Sequence, residues 1–432
     1  MTLFPNRFLI ALPLFLVSFF SVAQTDLTIF REFQFDFSTP GARANGMGRA
    51  FVGLADEATA GYSNPAGLSL LDTPELYLEY RQNSTDYRAP RANDLFDFNG
   101  SPPTDSTIEL DRVGFMSLSF SWRNTKFSAY YVNNLDYRRE AIEEINSISN
   151  TVEEYDFTYI NSQTVRGIRL DTFGFSVARN AGKLDLGISV GMSKLALDFD
   201  YYTTLFSQDI FGLSDLVRSE ASGDSMKPTL VMGMLYRINP RFRFGFSAKL
   251  HPRFVYTEYI NNADHPEVVD PDGFPTPITF KIPDSYQLGF GYQPNDRWTI
   301  LLDIDWVRYA QLLDDMTLIS RLPFKADDYR IGEQPDFRLG GEFFIPNRKF
   351  NLALRGGAFL DHDHKTRFIG KSEDEDPIYA IQDFIFNSDA EENNLGYTLG
   401  LGVVFNNKLQ WDTALVRSDR IKRVVSSLLY RF

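Results

Sequence analysis

The sequence predicts an all-β protein, a 14-stranded antiparallel transmembrane β-barrel. Three observations predict it. The chain reads as exported and aromatic-rich, yet beyond its N-terminus it has no apolar run long enough for a spanning helix. Its segments from about residue 75 onward alternate apolar and polar residues with a period of two, which places the two sets on opposite faces of a sheet. Tight polar turns also alternate strictly with long polar loops, as in outer-membrane barrels.

Residues 1–23 read as a secretory signal peptide. Arg7 precedes an apolar run from Phe8 to Phe20, and Ser21-Val22-Ala23 matches a small-x-small cleavage site, so the mature chain is expected to start at Gln24. The run falls short of the roughly 20 residues of a transmembrane helix. There is no cysteine, which excludes lipoprotein acylation, disulfides and thiolate chemistry. Export without disulfides points to a bacterial envelope, and the outer membrane is the expected location. A net charge of −14 argues against nucleic acid as a partner. The 39 Phe and 21 Tyr suit a barrel, whose signal is weak in each segment.

The strands are expected at 75–82, 113–122, 127–134, 164–178, 183–199, 229–237, 242–251, 279–293, 298–307, 336–345, 350–361, 395–405, 408–417 and 421–432. In 184–192, Leu184, Leu186, Ile188, Val190 and Met192 share one face and Asp185, Gly187, Ser189 and Gly191 the other. In 298–306, Trp298 and Trp306 end an apolar face, about 27 Å apart at the usual strand rise. That is an aromatic-girdled outer surface, and it turns Asp303 and Asp305 toward the lumen.

Tight connections rich in Asn, with Pro, Gly or a basic residue, fall at 123–126, 179–183, 238–241, 294–297, 346–349 and 406–408. Between them lie long segments at 83–111, 135–163, 200–228, 252–278, 308–335 and 362–394. Six tight turns are what fourteen strands with both termini on the periplasmic side require. The last strand ends in Tyr430 and Phe432, which resembles the C-terminal signal read by the barrel assembly machinery. Ahead of the first strand, 48–71 is rich in small residues, and its Asn-Pro-Ala-Gly tetrad suits neither a helix nor a strand.

Residues as well as architecture resemble the FadL/TodX family of outer-membrane transporters for long-chain fatty acids and other hydrophobic compounds. The resemblance rests on "GMGRAFVGLADEATAGYSNPAGLSLL" near the N-terminus and on 227–250, 282–309, 335–345 and 352–361. It implies that residues 24–74 fold inside the barrel of 75–432 as a hatch bearing the motif Asn64, Pro65, Ala66 and Gly67. It further implies passive uptake of a hydrophobic small molecule, with exit into the membrane lipid through an inward kink in the third strand. "TPGARANGMGRAF" looks closer to PorV-like members, which serve a protein secretion system, and that is the alternative function.

An apolar ligand arriving from water needs greasy surface in a loop. Phe206, Ile210, Leu213 and Val217, with Phe211, recur at helical spacing and are candidates for ligand capture, or for a loop helix packing on its neighbours. Loops 309–324 and 378–386 carry similar material. Arg243, Lys249, Arg338 and Arg355 are expected to face the lumen, along with Asp303, Asp305 and Glu342. Such cations can meet a ligand carboxylate or tie a hatch to the wall. The "DHDH" of 361–364 and the acidic run 372–377 read as solvated loop, so no metal and no cofactor is expected. No motif of a hydrolase or nucleotide-binding enzyme stands out, and a transporter rather than an enzyme is expected.

Overall fold

The structure is a computed structural model and describes Phe37 and residues 39–87, 106–145, 148–150, 155–207, 215–262, 276–314, 326–371, 387 and 393–432. The strands, in chain order, are β1 (Glu75–Tyr87), β2 (Ser106–Trp122), β3 (Thr125–Ile145), β4 (Ile148–Asn150), β5 (Tyr155–Ala181), β6 (Leu184–Ser207) and β7 (Asp215–Asn239). Next come β8 (Phe242–Leu250), β9 (Arg253–Asn262), β10 (Thr276–Lys281), β11 (Ser285–Asn295), β12 (Trp298–Val307), β13 (Tyr329–Ile331) and β14 (Asp336–Ile345). The last are β15 (Phe350–Asp361), β16 (Thr366–Phe368), β17 (Asn394–Phe405), β18 (Leu409–Ser418) and β19 (Ile421–Arg431).

Fourteen of these pair in a closed antiparallel ring, β1-β2-β3-β5-β6-β7-β8-β11-β12-β14-β15-β17-β18-β19. The ring shuts where β19 returns to β1, with Glu75 opposite Arg431 and Leu78 opposite Leu428. β9 and β10 continue β8 and β11 outward as a hairpin. β13 and β16 form a separate two-stranded sheet joining the segments before β14 and after β15.

The burial pattern is the inverse of a soluble protein's. Along β12 the exposed residues are Trp298, Ile300, Leu302 and Trp306, and the buried ones include Thr299, Asp303 and Asp305. Along β6, Leu186, Ile188, Val190 and Met192 are exposed while Asp185, Ser189 and Ser193 are buried. An apolar exterior ringed by Trp122, Tyr236, Trp298 and Trp411 near the turns, and by Tyr80, Trp306, Phe337 and Tyr397 toward the loops, is a membrane-facing surface. No helix among the described residues is long and apolar enough to cross a membrane.

The tight turns fall where the Asn-rich segments predict them. Asn406 and Asn407 both adopt positive φ, 50° and 57°, the backbone a two-residue hairpin needs and Asn tolerates. The strands, however, run further outward than their apolar alternation. β3, β5, β6 and β7 continue through residues assigned by sequence to loops, and 252–278 contains β9 and the start of β10. Backbone pairing there persists beyond the residues in which the apolar alternation can be read.

The helical conformation expected for one candidate capture loop is thereby corrected. Phe206 lies in β6 opposite Tyr159, and Val217 lies in β7 opposite Thr203 and Asn262. The expected helical spacing of this loop therefore fails at both ends, because backbone pairing with neighbouring strands overrides a short amphipathic pattern. Ile210, Phe211 and Leu213 lie outside the described residues, as do the signal peptide and the acidic run 372–377.

Candidate functional site: the barrel interior and its side opening

Residues 39–71 occupy the interior of the ring. The segment contains a short helix α1 (Ala42–Gly46), a second α2 (Ala60–Ser63) and a 3-10 turn (Pro65–Leu70). Its apolar residues Met47, Phe51, Leu54, Ala55, Ala66 and Leu68 form one buried cluster with the wall residues Ala178, Leu235 and Leu301. Tyr62 and Ala58 join another with Tyr77, Phe115, Tyr130 and Leu429. Partners on so many strands around the ring leave only the lumen as its position.

Two glycines show how closely it is seated. A Cβ on Gly233 would lie 2.2 Å from Asn64 Oδ1, and one on Gly187 would lie 2.3 Å from the Pro65 carbonyl carbon. Only bare backbone permits that approach. Asn64 itself is fully buried and occupied at both ends of its amide. Its Oδ1 accepts from Ala66 N–H at 3.3 Å and caps the 3-10 turn, while Nδ2 donates to Val52 O at 3.0 Å and to Met234 O at 3.1 Å. Pro65, at the first position of that turn, has no N–H to leave unsatisfied there.

Charges tie the segment to the wall. Asp303 Oδ2 accepts from the Phe51 and Val52 amides at 2.6 and 2.8 Å. Arg43 makes a two-pronged contact with Glu342 at 3.0 and 2.9 Å and also reaches Asp56 at 2.6 Å. Arg355 sits between Glu342 and Asp412, each at 2.7 Å. Arg49 and Arg338 meet on Asp361, both at 3.1 Å, and Arg338 is further paired with Asp305. Of the four lumenal cations, Arg338 and Arg355 are thus engaged by these networks. Lys249 donates to Gln287 Oε1 at 3.0 Å and lies 4.8 Å from the centre of the Tyr62 ring. Arg243 donates to Gln293 Oε1 at 3.2 Å.

Glu57 is the exception to this pairing within the segment. Burial pushes its carboxyl up to about 8, against the opposing pull of Arg43, whose nearest nitrogen is 3.9 Å away. Its Oε1 accepts from Thr59 Oγ1 at 3.1 Å, and its Oε2 has no hydrogen-bond partner.

Among the described residues the hydrogen-bonded wall is interrupted in two places. The β2–β3 ladder runs from Trp122–Thr125 to Phe115–Val132 and stops. Beyond that point β2 stays with β1 and β3 stays with β5. Register shifts lie on both sides, between Glu79 and Tyr80 in β1 and between Asn133 and Leu135 in β3, and such bulges bend a strand away from its neighbour. An Arg112–Asp136 ion pair spans the resulting side opening. The second interruption is a window. β7 pairs with β8 up to Leu230–Leu250 and with β9 from Ser222–Thr257, leaving 223–229 and 251–256 without a ladder between them. Pro228 and Pro252 flank it, neither able to donate a backbone hydrogen bond. Below the window Lys281 donates to His251 O at 2.5 Å and to Asp284 at 2.7 Å, and Phe37 stacks on His251 with ring centroids 5.1 Å apart.

The closed ring of fourteen antiparallel strands is a fold that solved structures share. A structure of a Pseudomonas aeruginosa FadL homologue superposes with a TM-score of 0.60 at 14% identity, covering 92% of this chain and 99% of that one. The fold is that of the FadL/TodX channels. The Pseudomonas putida toluene transporter TodX gives a TM-score of 0.54 at 15% identity, and the Ralstonia pickettii toluene transporter TbuX gives 0.54 at 13%. Each of these matches covers 92% of this chain and 99% of the other. No protein-family model and no curated protein matches the sequence. The likeness to FadL/TodX channels is therefore one of fold, carried by strand number, closure and coverage.

Arg338, Arg355, Asp303 and Glu342 are buried, on the strand faces opposite the exposed apolar residues. The partners of these residues, and the roles of Arg43, Arg49 and Asp412, had no sequence signal, because each contact joins residues hundreds of positions apart or strands whose register is set only by closure.

Proposed function

We propose that the protein is an outer-membrane channel, not an enzyme, that admits hydrophobic compounds, with long-chain fatty acids the leading class. The observation that carries this reading is the side opening between β2 and β3, which begins at the outer edge of the apolar band, level with Tyr80, in a barrel whose interior is occupied. A water-filled pore would pass polar solutes along the barrel axis. Here residues 39–71 fill the axis, and an apolar ligand instead gains by leaving sideways into lipid.

In this reading residues 39–71 act as a hatch. Ligand moves down its own gradient, and a shift of the hatch away from Asp303 and Thr398 opens the interior; the ligand needs only to favour the shifted state. The polar, net acidic outer segments and the capture residues Phe206, Ile210, Phe211, Leu213 and Val217 would meet the ligand first. The fold shared with proteins described as toluene transporters supports the ligand's apolar character.

The test is binding of a fluorescent fatty-acid analogue to the detergent-solubilised protein, with uptake by expressing cells as a second arm. Saturable binding at micromolar ligand and protein-dependent uptake are expected. Absence of both, with co-purification of exported proteins instead, would overturn the channel in favour of a secretion component.

A further inference from the structure

The foot of the side opening is chemically uneven. Phe115, Val132, Leu135 and Leu170 surround it, all buried and apolar. Among them stands the bulge pair Asn133 and Asn134, both buried. Asn133 is spent locally, its Nδ2 donating to Asp171 Oδ1 at 2.9 Å and to Leu135 O at 3.3 Å. Asn134 heads a belt of small polar side chains along the inner wall. Its Nδ2 donates to Thr172 Oγ1 at 2.8 Å, Thr172 and Ser193 hydroxyls meet at 2.6 Å, and Ser193 hydrogen-bonds Thr229. The belt satisfies its own members but leaves one atom over. Asn134 Oδ1 is buried and has no hydrogen-bond partner.

A buried amide oxygen without a donor is unfavourable and rare, and an opening that served only bare hydrocarbon would be better lined by another Leu or Val. We infer that the side opening recognises an apolar ligand by a hydroxyl head group, with Asn134 Oδ1 as acceptor and the surrounding apolar residues taking the ligand body. The class is an alcohol, a phenol or an un-ionised carboxylic acid. An ionised carboxylate has no proton to donate and would set two acceptors against each other. This rests on the channel reading and narrows its ligand.

The probes are p-cresol and p-xylene, matched in size and differing by the hydroxyl. Their affinities for the full-length protein are measured by calorimetry in detergent, corrected with empty micelles. In Asn134→Leu the ratio of p-cresol to p-xylene affinity is expected to fall about fivefold, the size of one ordinary hydrogen bond, with p-xylene binding retained. Asn134→Ala supplies the same comparison if the larger side chain blocks assembly. An unchanged ratio in the assembled variant overturns the inference. Protein-dependent uptake of p-xylene by cells tests the channel separately: its absence overturns the transport reading, while the affinity ratio still decides the role of Asn134.

Discussion

At the scale of single residues, two side chains of the N-terminal segment carry testable weight. Asn64 joins three parts of the molecule through one amide, so Asn64→Ala should loosen the segment by about 1–3 kcal/mol, the cost of stranding buried backbone groups. Barrel assembly, read as heat-modifiable gel migration, should be unchanged, while ion leak in bilayers should rise. Glu57 predicts a pH dependence. Its folded value of about 8 stands above the ordinary carboxyl range, so the seated state holds a proton that the released segment gives up. Seating is therefore firmest below about pH 4.5 and weakens as pH rises through about 8. Protection of the amides of residues 39–71, taken relative to intrinsic exchange at each pH, should fall between about pH 4.5 and about 8 and level off above, and Glu57→Gln should flatten that fall. Asn64 stands out in the sequence through its Asn-Pro-Ala-Gly tetrad, whereas Glu57 sits in a run of small residues and looks like any exposed acidic turn.

Elements decide where the wall is intact and where it is not. The apolar stretches of β6, β8, β12, β14 and β15 could be read from alternation because lipid demands one apolar face and the lumen tolerates polar ones. The outer halves of β3, β5, β6 and β7 could not, since their polar sequences carry no sustained apolar face, and the bulge at Asn133–Leu135 has no signature beyond two Asn in a strand. Glycines at the lumenal face, such as Gly233 and Gly187, look in sequence like weak points of a strand. They are sites of close approach by Asn64 and Pro65. Gly233→Val should push the 64–66 turn off β7 and raise conductance, as is expected of Asn64→Ala, with the strand itself intact because Val suits a sheet. If Gly233→Val stays electrically silent, the turn is not what seals the interior.

For the whole molecule, the lumenal segment is expected to set the electrical behaviour. The intact protein should be nearly silent in planar bilayers, and removal of residues 39–71 should produce discrete conductance steps from a barrel that still shows heat-modifiable migration. Silence in both forms would place the seal in the outer segments instead. Salt should matter little to the intact state, because Arg43, Arg49, Arg338 and Arg355 form their ion pairs inside the barrel, where screening is weak.

Alternation and turn chemistry were enough to specify the barrel: its strand number, its turn positions and which residues face lipid, since each follows from a period of two repeated against an apolar solvent. Composition also set apart the 48–71 segment. Tertiary structure alone decided that Arg355 lies between Glu342 and Asp412, that Asp303 holds two amides of the inner segment, and that β3 parts from β2 above Val132. Those contacts depend on ring closure and register, which bring together residues that no local pattern connects.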